Sequence, residues 1–187
     1  MPEISADNDV ARLLGHAPRR IAVAGVSGAG KSTLARRIAA RLELPYCEID
    51  SLFHGPGWVP REEFLDDVAD LVAQDAFVTE LQYRKARPLI AARVQVLVWL
   101  DLPTHVTMRQ VTARTIRRRL RREVLWNGNV EPPLHTFFSD RDHIVRWAWR
   151  TRHKHRDLHG RIAETWPDVA VVRLRSHAEA TAWLARL

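Results

Sequence analysis

The eight residues Gly25-Val26-Ser27-Gly28-Ala29-Gly30-Lys31-Ser32 constrain this chain more than any other stretch. They fit the spacing G-x-x-x-x-G-K-[ST]. Ahead of them Ile21-Ala22-Val23-Ala24 is an apolar run suited to a buried strand, and behind them Thr33-Leu34-Ala35-Arg36-Arg37-Ile38 reads as helix. Glycines at such a junction let the backbone turn successive N–H groups toward one anion, and the helix dipole adds positive potential there. The junction predicts a phosphate-cradling loop for a nucleoside triphosphate. Gly25, Ser27, Gly28, Ala29, Gly30 and Thr33 would surround the phosphates. Lys31 would reach the β- and γ-phosphates, and the Ser32 hydroxyl would sit on Mg²⁺.

At 187 residues the chain reads as one domain over 1–187, with an N-terminal extension over 1–18. Residues 1–9 are acidic and lack the apolar centre of a signal peptide. No run approaches the roughly 20 apolar residues that span a bilayer, so no membrane partner is expected. The single cysteine, Cys47, cannot pair internally, which fits a reducing cytoplasm. Formal net charge is +7, and only three of the 29 basic residues are lysines: Lys31, Lys85 and Lys154. Arginine suits planar, bidentate recognition of phosphate.

Apolar runs predict strands near 21–25, 46–50, 77–81, 95–100 and 169–174, and the intervening segments predict helices near 31–43, 61–74, 104–125, 141–164 and 177–186. This alternation is that of an α/β fold with a mostly parallel sheet and helices on both faces. Ligands in such folds bind beyond the C-terminal ends of the strands. Four carboxylates stand at or just after strand ends. Asp50 would orient or deprotonate an acceptor hydroxyl, or else cap the turn after it. Glu48 lies on the same face and is the weaker candidate. Glu80 would hold a Mg²⁺-bound water, or pair with Arg84, Lys85 or Arg87, because a lone carboxylate after an apolar strand needs a cation. Asp101, followed by Pro103 and Thr104, reads as a structural turn.

Between Arg109 and Arg122 stand seven arginines and no acidic residue. At about 100° per residue, Arg114, Arg117, Arg118, Arg121 and Arg122 share one arc of a helix, while Ile116 and Leu120 lie opposite and are expected to pack inward. Such a face repels itself unless an anion neutralises it. A second basic set, Arg146, Arg150, Arg152, Lys154 and Arg156, follows on the next helix. The intervening Trp126-Asn127-Gly128-Asn129-Val130-Glu131-Pro132-Pro133 is rich in turn formers. Together these read as a lid over about 114–156 that would bring arginines onto a transferring phosphoryl group.

The glycine loop, Leu44-Pro45, Asp50-Ser51-Leu52-Phe53, Gly57-Trp58 and Trp99-Leu100-Asp101-Leu102-Pro103 resemble the small P-loop kinases, most closely the adenylate-kinase-like group called DNA topology modulation proteins. The resemblance runs from about residue 20 to the C-terminus. It implies a three-layer αβα sandwich with a five-stranded parallel sheet of order 2-3-1-4-5, a helical lid, and binding of ATP and Mg²⁺. It also implies that Arg175-Ser176 lies near the adenine. In that group Asp-Gly-Asn-Tyr follows the third strand, where this chain has Glu80-Leu81-Gln82-Tyr83. The expected activity is transfer of the ATP γ-phosphate to a small-molecule or nucleotide acceptor, with Lys31, Asp50, Arg114, Arg118 and Arg150 as the catalytic set. Two other classes stay open: a nucleotide-dependent nucleic-acid binder, motivated by the +7 charge, and an ATP-binding regulator with weak turnover.

Overall fold

The computed structural model describes residues 3–4, 10–140, 143–155 and 158–187. Its centre is a parallel sheet whose main strands are β2 (Arg20–Gly25), β3 (Phe77–Glu80), β4 (Val96–Leu100) and β5 (Ala170–Leu174), in the spatial order β3-β2-β4-β5. A two-residue strand β1 (Glu3–Ile4) pairs with the outer edge of β5. These strands alternate faces, as the period of two requires. Ile21, Val23, Val96, Val98, Val172 and Leu174 face one layer, formed by Leu34 and Ile38 of α2 (Lys31–Leu42) and Trp183 of α10 (His177–Ala185). Ala22, Ala24, Leu97, Trp99 and Val171 face the other, with Phe64 and Val68 of α4 (Phe64–Ala73), Ile90 of α5 (Arg87–Ala91), and Leu158 and Ile162 of α9 (Leu158–Thr165). Burial on both faces explains why the strands read as unbroken apolar runs.

The expected α/β sandwich is present, but the five-strand order 2-3-1-4-5 is corrected. Residues 46–50 do not form a strand. Tyr46 makes one isolated bridge to Val78, flanked by Val78 N→Pro45 O (2.8 Å) and Cys47 N→Val78 O (3.0 Å). The chain then turns into the short helix α3 (Ile49–Phe53), so Asp50 lies in a helical turn and not at a strand end. The additional pairing comes instead from β1, at the opposite edge and within the segment read as an extension. Val10 of α1 (Val10–Leu14) is also buried in the core.

The predicted helix over 104–125 is α6 (Thr104–Leu120). The predicted helix over 141–164 is divided into α8 (Ile144–Arg150) and α9 by a turn at 151–155, and Arg156 falls outside the described residues. A short helix α7 (Thr136–Ser139) precedes α8. No helix among the described residues is long and apolar enough to cross a membrane.

Candidate active site

The glycine loop joins β2 to α2 as expected. Gly30 (φ 91°) caps α2 in the left-handed region, where glycine is at no disadvantage. Gly28 (φ 83°) has a second reason: a Cβ there would lie 2.3 Å from Thr107 O and 3.0 Å from Val111 Cβ. The loop therefore fits beneath α6 only as glycine. Ala29 N→Val26 O (3.1 Å) closes it. Ser27 and Ser32 are half-buried, Ala29 is buried, and Thr33 faces solvent.

Lys31 is not a surface side chain. It is 8 % exposed, its Nζ reaches Val26 O at 3.4 Å, and burial lowers its pKa against the opposing pull of Asp50 and Glu80. Glu80, at the end of β3 beside Val23 of β2, is fully buried. Its Oε1 accepts from Tyr46 OH (2.7 Å) and its Oε2 from Ile49 N (3.0 Å), and it is also hydrogen-bonded to Ser32. Burial raises the Glu80 pKa, and these bonds oppose the shift. Glu80 thus meets the loop and Lys31. Its partners are not the Arg84, Lys85 or Arg87 considered from sequence.

The donors present suit Mg²⁺ held mainly by phosphate and water: a serine hydroxyl on the loop and a buried carboxylate bonded to it. Among the described residues no cluster of three or more His, Cys, Asp or Glu forms a separate metal cage.

Asp50 lies near enough to Lys31 to oppose the lowering of its pKa. Both of its recorded bonds fall on one oxygen: Tyr83 OH→Oδ1 (2.6 Å) and Gln82 Nε2→Oδ1 (3.1 Å). Tyr83 also contacts His54 Nε2 (3.2 Å), and Phe53, Trp58 and Trp126 surround His54 with ring centroids at 5.0, 5.0 and 5.8 Å. Glu48 turns outward to Arg36 (2.5 Å). Asp101 pairs with Arg173 (Nε–Oδ2 2.9 Å), the structural role expected of it.

The arginine helix is oriented opposite to the sequence expectation. Ile116 is 41 % and Leu120 74 % exposed, whereas Arg114 and Arg118 are half-buried beside the buried Val111 and Thr115. Of the predicted arc only Arg114 and Arg118 turn inward, where they have charged partners; Arg117, Arg121 and Arg122 are exposed. Arg118 lies 3.5 Å from the buried Glu131 and 3.5 Å from Glu123, over the ring of Trp126. Arg114 has its pKa lowered by burial and by Arg118, is drawn the other way by Glu131 and Asp50, and keeps a buried Nε with no hydrogen-bond partner among the described residues. Arg150 is exposed on α8 over Trp147, and Arg175 is exposed after β5.

Two loops pack against each other beside His54, and sequence reading found only one of them. Residues 54–60 and 124–130 are each pinched by an antiparallel bridge, His54↔Pro60 and Val124↔Val130. Asn129 joins them: its Oδ1 accepts from Trp58 N (3.0 Å), and its Nδ2 donates to Gly55 O (2.8 Å) and Trp126 O (2.9 Å). Trp58 Nε1 donates to Val130 O (3.1 Å).

No protein-family model matches the chain. A shikimate kinase from Bradyrhizobium diazoefficiens is 28% identical over 94% of this chain and 87% of its own length. Among solved structures, a shikimate kinase from Acinetobacter baumannii in complex with shikimate aligns with a TM-score of 0.55 at 16% identity, over 89% of each chain. A gluconokinase from Sinorhizobium meliloti 1021 aligns with a TM-score of 0.51 at 21% identity, over 90% of this chain and 93% of its own. The structural likeness shows the fold of the small P-loop kinases. With the sequence relative, it supports an ATP-dependent phosphotransferase.

Proposed function

We propose that this chain transfers the γ-phosphoryl group of ATP to a hydroxyl of a small molecule held between the glycine loop and Asp50. The observation that carries this reading is that Asp50 and the buried Glu80 both act electrostatically on the buried Lys31 of the glycine loop, with Asp50 held by Tyr83. Asp50, oriented by Tyr83 and Gln82, accepts the hydroxyl proton. Lys31 and the loop N–H groups hold the phosphates, and Arg114 and Arg118 answer the charge that develops on the transferring group. Ser32 and a water on Glu80 would hold Mg²⁺, which would supply charge neutralisation at the phosphates.

The segment over about 114–156 would act as a lid that closes over bound nucleotide. Leu81, where the resembled group carries glycine, is buried and removes the close backbone approach that glycine permits. This favours a non-nucleotide acceptor, such as the hydroxylated acids named for the similar kinases. The residues behind the subgroup resemblance, Asp50 to Phe53 and Gly57-Trp58, belong to this acceptor wall.

Two substitutions test the reading. Lys31→Met should abolish Mg²⁺-ATP turnover in a folded protein. Asp50→Asn should lower transfer by about 10²–10⁴, the range for a lost acid–base group, with ATP affinity nearly unchanged. Equal loss of ATP binding in Asp50→Asn, measured by calorimetric titration, would remove Asp50 from the acceptor role.

A further inference from the structure

Asp50 and His54 stand one turn apart on and just after α3, and His54 N→Asp50 O (3.0 Å) closes that turn. The hydroxyl of Tyr83 touches both side chains, 2.6 Å from Asp50 Oδ1 and 3.2 Å from His54 Nε2. Tyr83 takes φ 52°, a left-handed conformation that a residue with a side chain seldom adopts and keeps only where its surroundings hold it. Here Phe53 stacks on its ring at 4.0 Å, and Phe64 meets it edge-on at 5.1 Å. Its carbonyl accepts from Ala86 N and Arg87 N (3.1 Å each). Burial and Asp50 raise the Tyr83 pKa, so the phenol keeps its single hydrogen.

One hydrogen cannot serve both neighbours, so its direction matters. A carboxylate only accepts, and its bond is the shorter, which puts the Tyr83 hydrogen on Asp50. The phenol oxygen then meets His54 by accepting, and Nε2 must carry the imidazole hydrogen. Burial lowers the His54 pKa against the pull of Asp50, so at neutral pH the ring is neutral and Nδ1 is bare. Nδ1 is buried and has no hydrogen-bond partner among the described residues. The other rings around it, Phe53, Trp58 and Trp126, offer no acceptor. A hydrogen on Nδ1 would therefore be buried and unpaired. Tyr83 would then turn its own hydrogen to Nε2 and leave Asp50 with Gln82 alone of its recorded bonds.

We infer that His54 is a positioning residue: its aromatic enclosure keeps the imidazole hydrogen on Nε2, and Nε2 keeps the Tyr83 hydrogen on Asp50. The acceptor base is thus oriented by a chain of hydrogen bonds with one direction, from His54 through Tyr83 to Asp50. His54 exchanges no proton in the reaction; the proton of the acceptor hydroxyl goes to Asp50. This rests on the kinase reading and extends the set that orients Asp50 to the loop at 54–60.

The tautomer is read from the full chain labelled with ¹⁵N in histidine, by long-range proton–nitrogen correlation at neutral pH, with His54→Gln identifying the resonance. His54 should show a protonated Nε2 and a bare Nδ1. A hydrogen on Nδ1, or a mixture of the two forms, overturns the inference.

Turnover gives the second readout, as ADP formation from Mg²⁺-ATP with the best substrate in a panel of neutral polyols and hydroxylated acids. His54→Phe keeps a ring in the enclosure and removes the donor. It should lower kcat about three- to tenfold, the effect of one neutral hydrogen bond, with KM for ATP unchanged. His54→Gln, whose amide can donate from the place of Nε2, should recover most of that loss. Tyr83→Phe already cuts the chain, so adding His54→Phe to it should lower kcat no further. Wild-type kcat in His54→Phe, a glutamine variant no better than the phenylalanine one, or losses that multiply in the double variant would overturn the inference and leave the kinase reading standing. The expected tautomer in a protein that forms no ADP with any member of the panel would leave the hydrogen-bond chain standing and strike the kinase reading.

Discussion

Glu80 shows how a carboxylate is retained in a protein interior beside a phosphate loop. Burial alone favours its protonated form, and the bonds from Tyr46, Ile49 N and Ser32, with Lys31 near, favour the ionised one. Glu80→Gln keeps the shape and removes the charge. It should weaken Mg²⁺-dependent turnover about 10–100-fold, the usual cost of losing a group that orients a metal's immediate surroundings. A metal titration of activity that matches wild type would assign Glu80 to packing alone.

His155 carries the opposite balance. Its folded pKa of about 3 lies below the ordinary 6.5, so as pH falls through that interval the unfolded chain takes up a proton that the folded one refuses. Stability from this group is therefore full above about 6.5 and is lost toward 3. His155→Leu should lose less stability between pH 7 and 4.5 than wild type in urea unfolding, and equal losses would clear His155 of this linkage. Neither environment was legible in the sequence. Glu80 was found because it ends an apolar strand, but its partners Tyr46 and Ser32 come from other elements. His155 carried no signal, because its burial depends on how the lid returns to the sheet.

The paired loops at 54–60 and 124–130 illustrate the same limit at the level of elements. The composition of Trp126 to Pro133, that of turns, reads as part of a lid between two basic helices. The structure converts those turn formers into a contact surface, with Asn127 (φ 54°) and Gly128 (φ 78°) in the left-handed region and the Asn129 amide fully bonded. The partners of Asn129 on the other loop lie more than seventy residues earlier, beyond the reach of any local pattern. Asn129→Ala leaves the buried Gly55 carbonyl and the Trp58 N–H without their partner, so it should cost about 1–3 kcal/mol in equilibrium unfolding. The missing strand at 46–50 has a related cause. Tyr46 and Cys47 are good strand formers, but the strong bond from Ile49 N to Glu80 turns the chain into a helix after one bridge.

Across the whole molecule, the +7 charge suggested a nucleic-acid surface as an alternative to a phosphoryl-transfer site. The arrangement of α6 favours the latter, since Arg114 and Arg118 turn toward Asp50 and Glu131 while Ile116 and Leu120 take the solvent side. Arg118→Ala should lower kcat more than ATP affinity, because the charge it meets is greatest in the transition state. If Arg118 instead bound a nucleic-acid backbone, turnover would be untouched and the salt slope of DNA or RNA binding would fall by about one counterion. Steady-state kinetics beside a salt-titrated binding assay separates the outcomes. The sheet and the phosphate loop were legible because each is encoded within a few consecutive residues. The inward orientation of α6 was not, because hydrophobicity alone assigns the aliphatic side to the core.

Gly28 has a mechanical consequence. With no side chain, the summit of the phosphate loop touches the backbone of α6 at Thr107 and Val111, so the loop serves as the fulcrum of that helix. From Thr107 to Leu120 the helix projects about 20 Å, and a tilt of about 5° at the pivot carries its far end through nearly 2 Å. The position of Arg118 is thus tied mechanically to the shape of the phosphate loop. Gly28→Ala would prop the two surfaces apart, and the signature of a lever would be weakened transfer with α6 still folded by circular dichroism.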